Sequence, residues 1–308
     1  MRVNWKLSRN ETLFKENFII TLKDQSQEAP GEIAPNIRYN ETPQKIQSDF
    51  DELTQRLKSE KIESILKSNN FCNSFNFAID SAYVSLRAKE KNIKVYEYLK
   101  LSKPSLIQTS YTVPIMAEDE LATYLKKIER FNFIKIKVNK ENAISFCVAI
   151  SKITNKALRI DANEGWESLE DYLDFERAIS DLNVEFIEQP FPSDRIDLYK
   201  SLKPVSKYLV IADESITNRV DFDQIEDCFH GINVKLMKAG SYGQAISFLK
   251  EAKRRNLKTM LGCMIETSLG ISCALNLYEL VDYFDLDGSL LIKNDPYNLI
   301  LEENGFIS

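Results

Sequence analysis

Three acidic residues stand at similar positions in three short apolar segments. Asp161, Glu188 and Asp213 each close an apolar run of strand length. They are 27 and 25 residues apart, which is the length of one strand, one helix and two loops in a βα repeat. Oxygen ligands suit a hard cation, and sites that hold Mg²⁺ keep positions open for water and substrate oxygens. We therefore predict that the three acids meet at one end of a parallel barrel and hold one Mg²⁺ per subunit.

Lysines occupy neighbouring positions in the same part of the chain. Lys135 and Lys137 are two residues apart in an apolar segment, so their side chains point to the same face of a strand. Lys235 ends another apolar segment on the far side of the predicted barrel, and Lys238 is expected in the loop that follows. Two ammonium groups on one face lower each other's pKa by repulsion, and burial lowers it further. A lysine in this setting could act as a base near neutral pH.

Strand and helix patterns alternate from residue 110 onward, and helical patterns such as 118–130, 169–182 and 242–256 separate the strands. The predicted strands are 111–115, 133–138, 157–160, 184–188, 209–212, 231–235, 259–261 and 286–292. Seven or eight such units favour a (β/α) barrel over a doubly wound sheet. In such barrels the active site lies at the C-terminal ends of the strands.

The first third of the chain lacks this alternation. A strand pattern covers 18–23, and residues 31–35 are predicted to end a strand that runs into a loop. Helical patterns cover 43–60, 62–67 and 73–90. Strands followed by helices predict a small α+β domain. We therefore divide the chain into an α+β domain over residues 1–107 and a (β/α) barrel over residues 108–293. Residues 294–308 show no helix of their own and are expected to pack back on the first domain.

Composition argues against several classes of protein. A chain of 308 residues with 44% hydrophobic residues can bury a large core. The net charge of −6 provides no basic surface for nucleic acid. Five widely spaced cysteines form neither a disulfide framework nor a zinc-ligand pattern. Because the first residues are polar and no apolar run approaches the length of a membrane span, we expect no secretory signal, no membrane association and a cytoplasmic protein.

Taken together, these residues resemble the motifs of a known family. The motifs are, in chain order, Lys135-x-Lys137, Asp161-x-Asn163, Glu188-Gln189-Pro190, Asp213-Glu214-Ser215 and Lys235. They are similar to those of the muconate-lactonising subgroup of the enolase superfamily, over nearly the whole chain. The resemblance implies an α/β fold, a (β/α)₇β modified TIM barrel with an N-terminal α+β capping domain. It also implies a reaction in which a base removes the proton α to a carboxylate that Mg²⁺ holds.

The resemblance implies roles for individual residues. The two bases would be Lys137 and Lys235, on opposite sides of the substrate. The residues behind the metal ligands would be Asn163 and Glu214. The residues that contact the substrate would be Thr112, Lys135, Met264, Glu266, Asp285 and Asp287. The only histidine, His230, is expected in a loop, which excludes a lysine and histidine pair of bases.

Two acids near the end of the chain discriminate within the subgroup. Asp285-x-Asp287 resembles the motif by which dipeptide epimerases hold the N-terminal ammonium group of the substrate. Acids beside an Asp-Gly turn signal are the structural alternative. The implied function is that of an isomerase similar to L-Ala-D/L-Glu epimerases. It would invert the α-carbon of a dipeptide's C-terminal residue by two-base 1,1-proton transfer through an enediolate. Arg9 and Arg38 are candidate partners for an acidic substrate side chain.

Two other functions fit part of the pattern. An o-succinylbenzoate synthase, or another muconate-lactonising-type enzyme, would use the same lysines and metal. The synthase needs no ammonium site, so Asp285 and Asp287 argue against it. A non-catalytic binding protein on a decayed barrel disagrees with the complete set of expected catalytic positions. The expected partner is therefore a small dipeptide substrate, and the oligomeric state of the chain stays open.

Overall fold

The structure is a computed structural model that describes residues 5–6, 11–12, 14–24, 27–68 and 70–308. The strands are β1 (Trp5–Lys6), β2 (Glu11–Thr12), β3 (Phe18–Lys23), β4 (Glu28–Ile33), β5 (Ile107–Gln108), β6 (Ser110–Val113), β7 (Phe133–Lys137), β8 (Ala157–Asp161), β9 (Val184–Glu188), β10 (Leu209–Ala212), β11 (Gly231–Lys235), β12 (Lys258–Gly262), β13 (Tyr283–Asp285), β14 (Glu302–Glu303) and β15 (Phe306–Ile307).

The helices of the described residues are α1 (Pro43–Arg56), α2 (Ile62–Ser68), α3 (Asn73–Glu90), α4 (Val95–Tyr98), α5 (Glu118–Lys127), α6 (Ala143–Ile153), α7 (Leu169–Ala178), α8 (Ile196–Leu202), α9 (Phe222–Cys228), α10 (Leu236–Ala239), α11 (Tyr242–Arg254) and α12 (Ser268–Leu275). Short 3₁₀ turns cover Ile37–Tyr39, Tyr278–Leu280 and Gly288–Leu291. Within the described ranges, no helix combines the length and the apolar character that crossing a membrane requires.

Eight parallel strands form one sheet, in chain order from β6 to β13. The first and last of them lie side by side, because Ser110 Oγ donates to Asp285 Oδ1 over 2.6 Å and Leu286 N donates to Thr109 Oγ1 over 2.7 Å. At least one helix follows each strand from β6 to β12, as in a βα repeat. The predicted α/β barrel is therefore confirmed, together with a separate region of strands and helices ahead of it.

The interior of the barrel is apolar at one end and charged at the other. Phe186, Ile211 and Met260 form a fully buried cluster at the apolar end of the barrel. One charged residue, Arg159, lies beside them; it is 2% exposed and donates to the carbonyl of Phe284 over 2.8 Å and to Glu185 Oε2 over 2.7 Å. Because side chains two apart on a strand share a face, the next inward positions lie at the C-terminal ends of the strands. These positions carry the charged residues of the site.

The last barrel strand is not where the sequence predicts it. The prediction was 286–292, whereas β13 ends at Asp285 and a 3₁₀ turn occupies Gly288–Leu291. The Asp287-Gly288 pair begins a turn, in which Leu290 N donates to the carbonyl of Asp287 over 2.8 Å. The apolar run that suggested a strand consequently packs as a turn.

Several predicted helices also extend too far. The helices predicted over 43–60, 118–130 and 169–182 end at Arg56, Lys127 and Ala178. In each case an amide just beyond the helix end donates to the carbonyl three residues back, and the last turn tightens there. These bonds run from Lys58 to Gln55, from Ile128 to Leu125 and from Ser180 to Arg177.

The N-terminal region has its own small core. Strands β3 and β4 pair antiparallel and pack on α3. A Cβ at Gly31 would lie 1.9 Å from the carbonyl oxygen of Ala78, so glycine allows the strand to lie directly on the helix. Phe75 and Ile79 of α3 face this core, while Phe77 and Val84 join the main core. Helix α3 therefore contributes to both cores.

The C-terminal residues form a small sheet with β5. Strand β15 pairs antiparallel with both β14 and β5. Arg130 Nη2 lies 2.8 Å from Glu302 Oε2, and Ser268 N donates to Asp295 Oδ2 over 3.1 Å. These contacts join residues 294–308 to the predicted domain boundary and to the barrel. The division into domains 1–107 and 108–293 stays a prediction.

Asp80 connects α3 to the barrel. Its Oδ2 accepts a hydrogen bond from Tyr242 N, 2.8 Å away, at the start of α11. Burial raises the pKa of Asp80 to about 6, against about 3.9 in an unfolded chain. Because the folded state binds this proton more tightly, ionising Asp80 costs stability. The cost is absent below about pH 4 and complete above about pH 6.

We expect the Asp80→Asn variant to be more stable than the wild type at about pH 8, by about 3 kcal/mol, because asparagine keeps the acceptor oxygen without the charge. At about pH 4 the two proteins should be equally stable. Urea unfolding at both pH values measures the difference. Equal stability of the two proteins at the higher pH would contradict the expectation.

Candidate active site

The three predicted metal ligands lie together at the C-terminal end of the barrel. Asp161 and Glu188 end β8 and β9, and Asp213 follows β10. One carboxylate oxygen from each residue can be chosen so that all three lie within 4.8 Å of one another, and all three side chains are buried. Three buried carboxylates at this separation fit a hard divalent cation.

The acids of the site also repel one another, which likewise favours a bound cation. Burial and the charge of Asp161 raise the pKa of Glu188 above its ordinary value. Glu188 Oε2 accepts no hydrogen bond of regular geometry, although Lys135 Nζ lies 2.7 Å away. Burial and the charge of Asp213 likewise raise the pKa of Glu214. A bound cation would relieve this excess of negative charge.

Two residues without a predicted role form hydrogen bonds that hold the ligands or the backbone beside them. Asn233 Nδ2 donates to Glu188 Oε1 over 2.6 Å. Gln189 Oε1 accepts from the backbone of Asp213 over 2.8 Å and from that of Ser215 over 3.2 Å. Asn233 precedes Lys235 by two residues on β11, so the strand period could have identified it. The role of Gln189 depends on a left-handed backbone, φ +41°, that the sequence does not reveal.

The residues predicted behind the ligands contact them or each other. Asn163 N donates to Asp161 Oδ1 over 3.1 Å, and Asn163 Nδ2 donates to Glu214 Oε1 over 3.3 Å. Lys238 lies in α10, not in the predicted loop, and its Nζ is 2.5 Å from both the carbonyl and Oδ1 of Asp213. The ammonium of Lys238 therefore holds the third acid in place.

The two lysines predicted as bases lie on opposite sides of the barrel. Lys137 ends β7 and Lys235 ends β11, which are four strands apart in an eight-stranded barrel. Lys137 Nζ is paired with Asp161. Lys235 Nζ is 2.8 Å from Asp213 Oδ2. The three carboxylates thus lie between two ammonium groups.

The third lysine lies at the centre of the acids. Lys135 Nζ is 2.9 Å from Asp161 Oδ2, 2.7 Å from Glu188 Oε2 and 2.8 Å from Asp285 Oδ2. Its side chain is 2% exposed. Lys135 therefore links the metal ligands to the pair of acids on the last strand.

The predicted lowering of the lysine pKa is wrong for Lys135. Burial alone would lower the pKa of Lys135, but the charges of Asp161, Asp285 and Glu188 outweigh it, and the pKa lies well above its ordinary value. Burial lowers the pKa of Lys235 too, and Asp213 again reverses the sign. The prediction rests on repulsion between neighbouring lysines, whereas the carboxylates in contact with these ammonium groups have the larger effect.

Asp285 and Asp287 face the site together. Asp285 accepts hydrogen bonds from Lys135 Nζ over 2.8 Å and from Ser110 Oγ over 2.6 Å. Asp287 Oδ2 accepts from Thr112 N over 2.7 Å. Both side chains are buried, at 5% and 4% exposure, which an acid that only starts a surface turn would not need. Burial and the charge of Asp285 raise the pKa of Asp287.

The loop after β12 faces the N-terminal region. Glu266 Oε1 accepts from Met264 N over 2.8 Å. Burial and the charge of Glu32 raise the pKa of Glu266 to about 8. Met264 Sδ lies 3.9 Å from Asn36 Nδ2. Both predicted contact residues on this loop are therefore placed where the two parts of the chain meet.

Three other residues named in the sequence predictions, Arg9, Arg38 and His230, remain to be placed. Arg38 is paired with Glu164, with Nη2 and Oε1 2.7 Å apart. Arg9 lies outside the described residues. His230 precedes β11, at the other end of the barrel from the site, and its Nδ1 accepts from Val210 N over 3.0 Å. The loop position predicted for the histidine is confirmed.

Comparison with known proteins gives matches along the chain. The family model described as enolase C-terminal domain-like matches residues 117–295. The L-Ala-D/L-amino acid epimerase of Pedosphaera parvula is 36% identical over 90% of this chain and 83% of that protein. The L-Ala-D/L-amino acid epimerase of Flavobacterium johnsoniae is 30% identical over 100% of this chain and 93% of that protein.

A solved structure also matches almost the whole chain. The substrate-liganded complex of the L-Ala-D/L-Glu epimerase from Bacillus subtilis matches with a TM-score of 0.91 at 26% identity. The match covers 99% of this chain and 92% of that one. The similarity therefore includes the N-terminal region as well as the barrel.

Proposed function

This chain belongs to the enolase superfamily, and we propose that it is a dipeptide epimerase that inverts the α-carbon of the C-terminal residue. The relatives that match along its length are named as epimerases. The observation that carries the proposal is the placement of Lys137 and Lys235 on opposite sides of three convergent carboxylates. A group between two lysines can lose a proton on one face and gain one on the other.

Asp161, Glu188 and Asp213 would hold one Mg²⁺ per subunit. When bound, this ion would stabilise the negative charge that develops on the substrate carboxylate as the enediolate forms. Lys135 would bind the same carboxylate, since its ammonium already lies among the acids at the centre of the site. Asn163, Glu214 and their partners would keep the ligands in position.

Lys137 and Lys235 would carry the proton. One of them, uncharged, takes the α-proton, and the other, as an ammonium, returns one to the opposite face. The charge of Asp213, which now raises the pKa of Lys235, would be offset by the cation that the three acids hold. Because inversion needs both faces, neither lysine can replace the other.

Asp285 and Asp287 would bind the N-terminal ammonium of the dipeptide. The carboxylate of Asp285 is buried at the end of the last strand, 2.8 Å from Lys135 Nζ, and that of Asp287 is buried two residues further along the chain. Binding energy gained at this end would orient the reacting carbon, which is remote from it. Thr112, Met264 and Glu266 would complete the walls of the site. An o-succinylbenzoate synthase has no use for such an ammonium site, so that alternative is not favoured.

The proposal is tested by proton exchange. A library of dipeptides incubated with the protein and Mg²⁺ in D₂O should gain one deuterium in the C-terminal residue, with formation of the epimer. Mass spectrometry and chiral chromatography measure the two changes. The N-acetyl form of the best substrate, which lacks the ammonium group, should react at least about 100-fold more slowly, since an unpaired buried acid remains. Dehydration of the synthase substrate without dipeptide exchange would overturn the proposal.

A further inference from the structure

An ion pair joins the N-terminal region to the active-site end of the barrel. Arg38 Nη2 lies 2.7 Å from Glu164 Oε1. The arginine side chain is 34% exposed, whereas the glutamate side chain is only 2% exposed. A carboxylate at that burial needs compensation, so the guanidinium is held in place more firmly than in a surface pair.

Glu164 is fixed independently of Arg38. Its Oε1 also accepts from Ser193 N over 2.8 Å, and its own N donates to the carbonyl of Gln189 over 2.7 Å. Its backbone has φ +61°, a strained conformation for a residue other than glycine. Glu164 follows Asp161 by three residues. It therefore ties the loop after one metal ligand to the loop after the next.

Arg38 is fixed from its own side as well. It belongs to the 3₁₀ turn Ile37–Tyr39, and its N donates to Asn36 Oδ1 over 3.0 Å. Glu41 anchors the turn by accepting from Asn36 N over 3.0 Å and from Ser74 N over 2.9 Å. Asn36 Nδ2 also lies 3.9 Å from Met264 Sδ, on the loop after β12.

We propose that Arg38 and Glu164 form a clasp that fixes residues 36–41 over the strand ends, and that Arg38 is a positioning residue for proton transfer. The inference rests on the proposed function. Arg38 touches no ligand acid, and its effect passes through the turn that it holds. With the clasp open the turn would move and water would enter, and misplacement by about 1 Å costs on the order of 100-fold in rate.

Kinetics of four variants test the clasp. Arg38→Met should lower kcat/KM by about 10- to 100-fold, mainly through kcat, because the pair orients the site and does not bind substrate. Arg38→Lys, which keeps a charged donor, should recover part of the loss. Glu164→Gln should resemble Arg38→Met, and the double variant should be no worse than either single one. Arg38→Met within twofold of wild type, or effects that multiply, would overturn the clasp.

A matched ion pair elsewhere in the chain provides the control. Arg130 and Glu302 lie 2.8 Å apart, at 42% and 14% side-chain exposure, and join the C-terminal sheet to the barrel. Arg130→Met should therefore leave kcat/KM within about twofold of wild type.

Amide hydrogen exchange tests the clasp by a measurement that does not depend on catalytic activity. The amides of residues 39–41 donate within the turn, and they should exchange faster in Arg38→Met and Glu164→Gln than in wild type or Arg130→Met. Unchanged exchange would overturn the clasp. If the wild type exchanges no dipeptide proton, the proposed function fails and amide exchange alone decides whether the clasp exists.

Discussion

Replacing either Lys137 or Lys235 by methionine should abolish epimerisation, with kcat lower by at least about 10³- to 10⁴-fold. Methionine keeps the length of the side chain and removes the ammonium. Each variant should still exchange the α-proton of one epimer with solvent, because the remaining lysine faces that proton. The epimer that exchanges should differ between the two variants. Proton exchange in D₂O, started from each epimer separately, measures both effects.

The two lysine variants need a control for charge removal. Lys140 lies on the surface beside Asp171, with both side chains about half exposed, at 52% and 44%. Lys140→Met should keep full activity and the same thermal transition as the wild type. If both lysine variants exchanged the same epimer, the two lysines would not face opposite sides of the substrate, and the two-base mechanism would be wrong.

The charged residues of the site were predictable because they follow a regular period. Acids and lysines at the ends of apolar strands must meet where parallel strands end, so Asp161, Glu188, Lys137 and Lys235 could be identified from spacing. Asn233 obeys the same rule and was missed because an amide on a strand carries no charge signal. What the spacing predicts is position, and position does not determine protonation.

The sign of the lysine pKa could not be predicted from the sequence. Lys135 Nζ lies within 2.9 Å of a carboxylate oxygen of Asp161, of Glu188 and of Asp285, and these charges outweigh repulsion by other lysines. Distances of this kind depend on rotamers across neighbouring strands, which the strand period does not specify. The same limitation applies to β13, where a turn at Asp287-Gly288 replaced the expected strand.

Contacts between the N-terminal region and the barrel could not be predicted from sequence patterns, for a related reason. Arg38 and Glu164 are 126 residues apart, and each stands in an irregular segment without a periodic pattern. Glu164 adopts a left-handed backbone that its residue type disfavours. Sequence reasoning fails at such positions because the surrounding fold, and not local preference, imposes the conformation.

Glu188→Gln should separate stability from activity. In the metal-free protein, burial and the charge of Asp161 disfavour the ionised form of Glu188. A neutral glutamine should therefore leave the protein as stable as the wild type, or more stable, when EDTA is present. Activity should fall by at least about 10³-fold, because one of three acids that would hold the cation has lost its charge.

The response to Mg²⁺ distinguishes this loss from a packing defect. Wild type should gain about 2.7 kcal/mol at Mg²⁺ concentrations 100 times the dissociation constant, since only the folded state holds the three acids together. Glu188→Gln should gain far less, whereas Asp171→Asn, on the surface, should gain as much as the wild type. Thermal unfolding with and without EDTA measures all three proteins. An equal Mg²⁺ response in Glu188→Gln would remove Glu188 from the metal site, and Asp161 and Asp213 alone would then have to hold the ion.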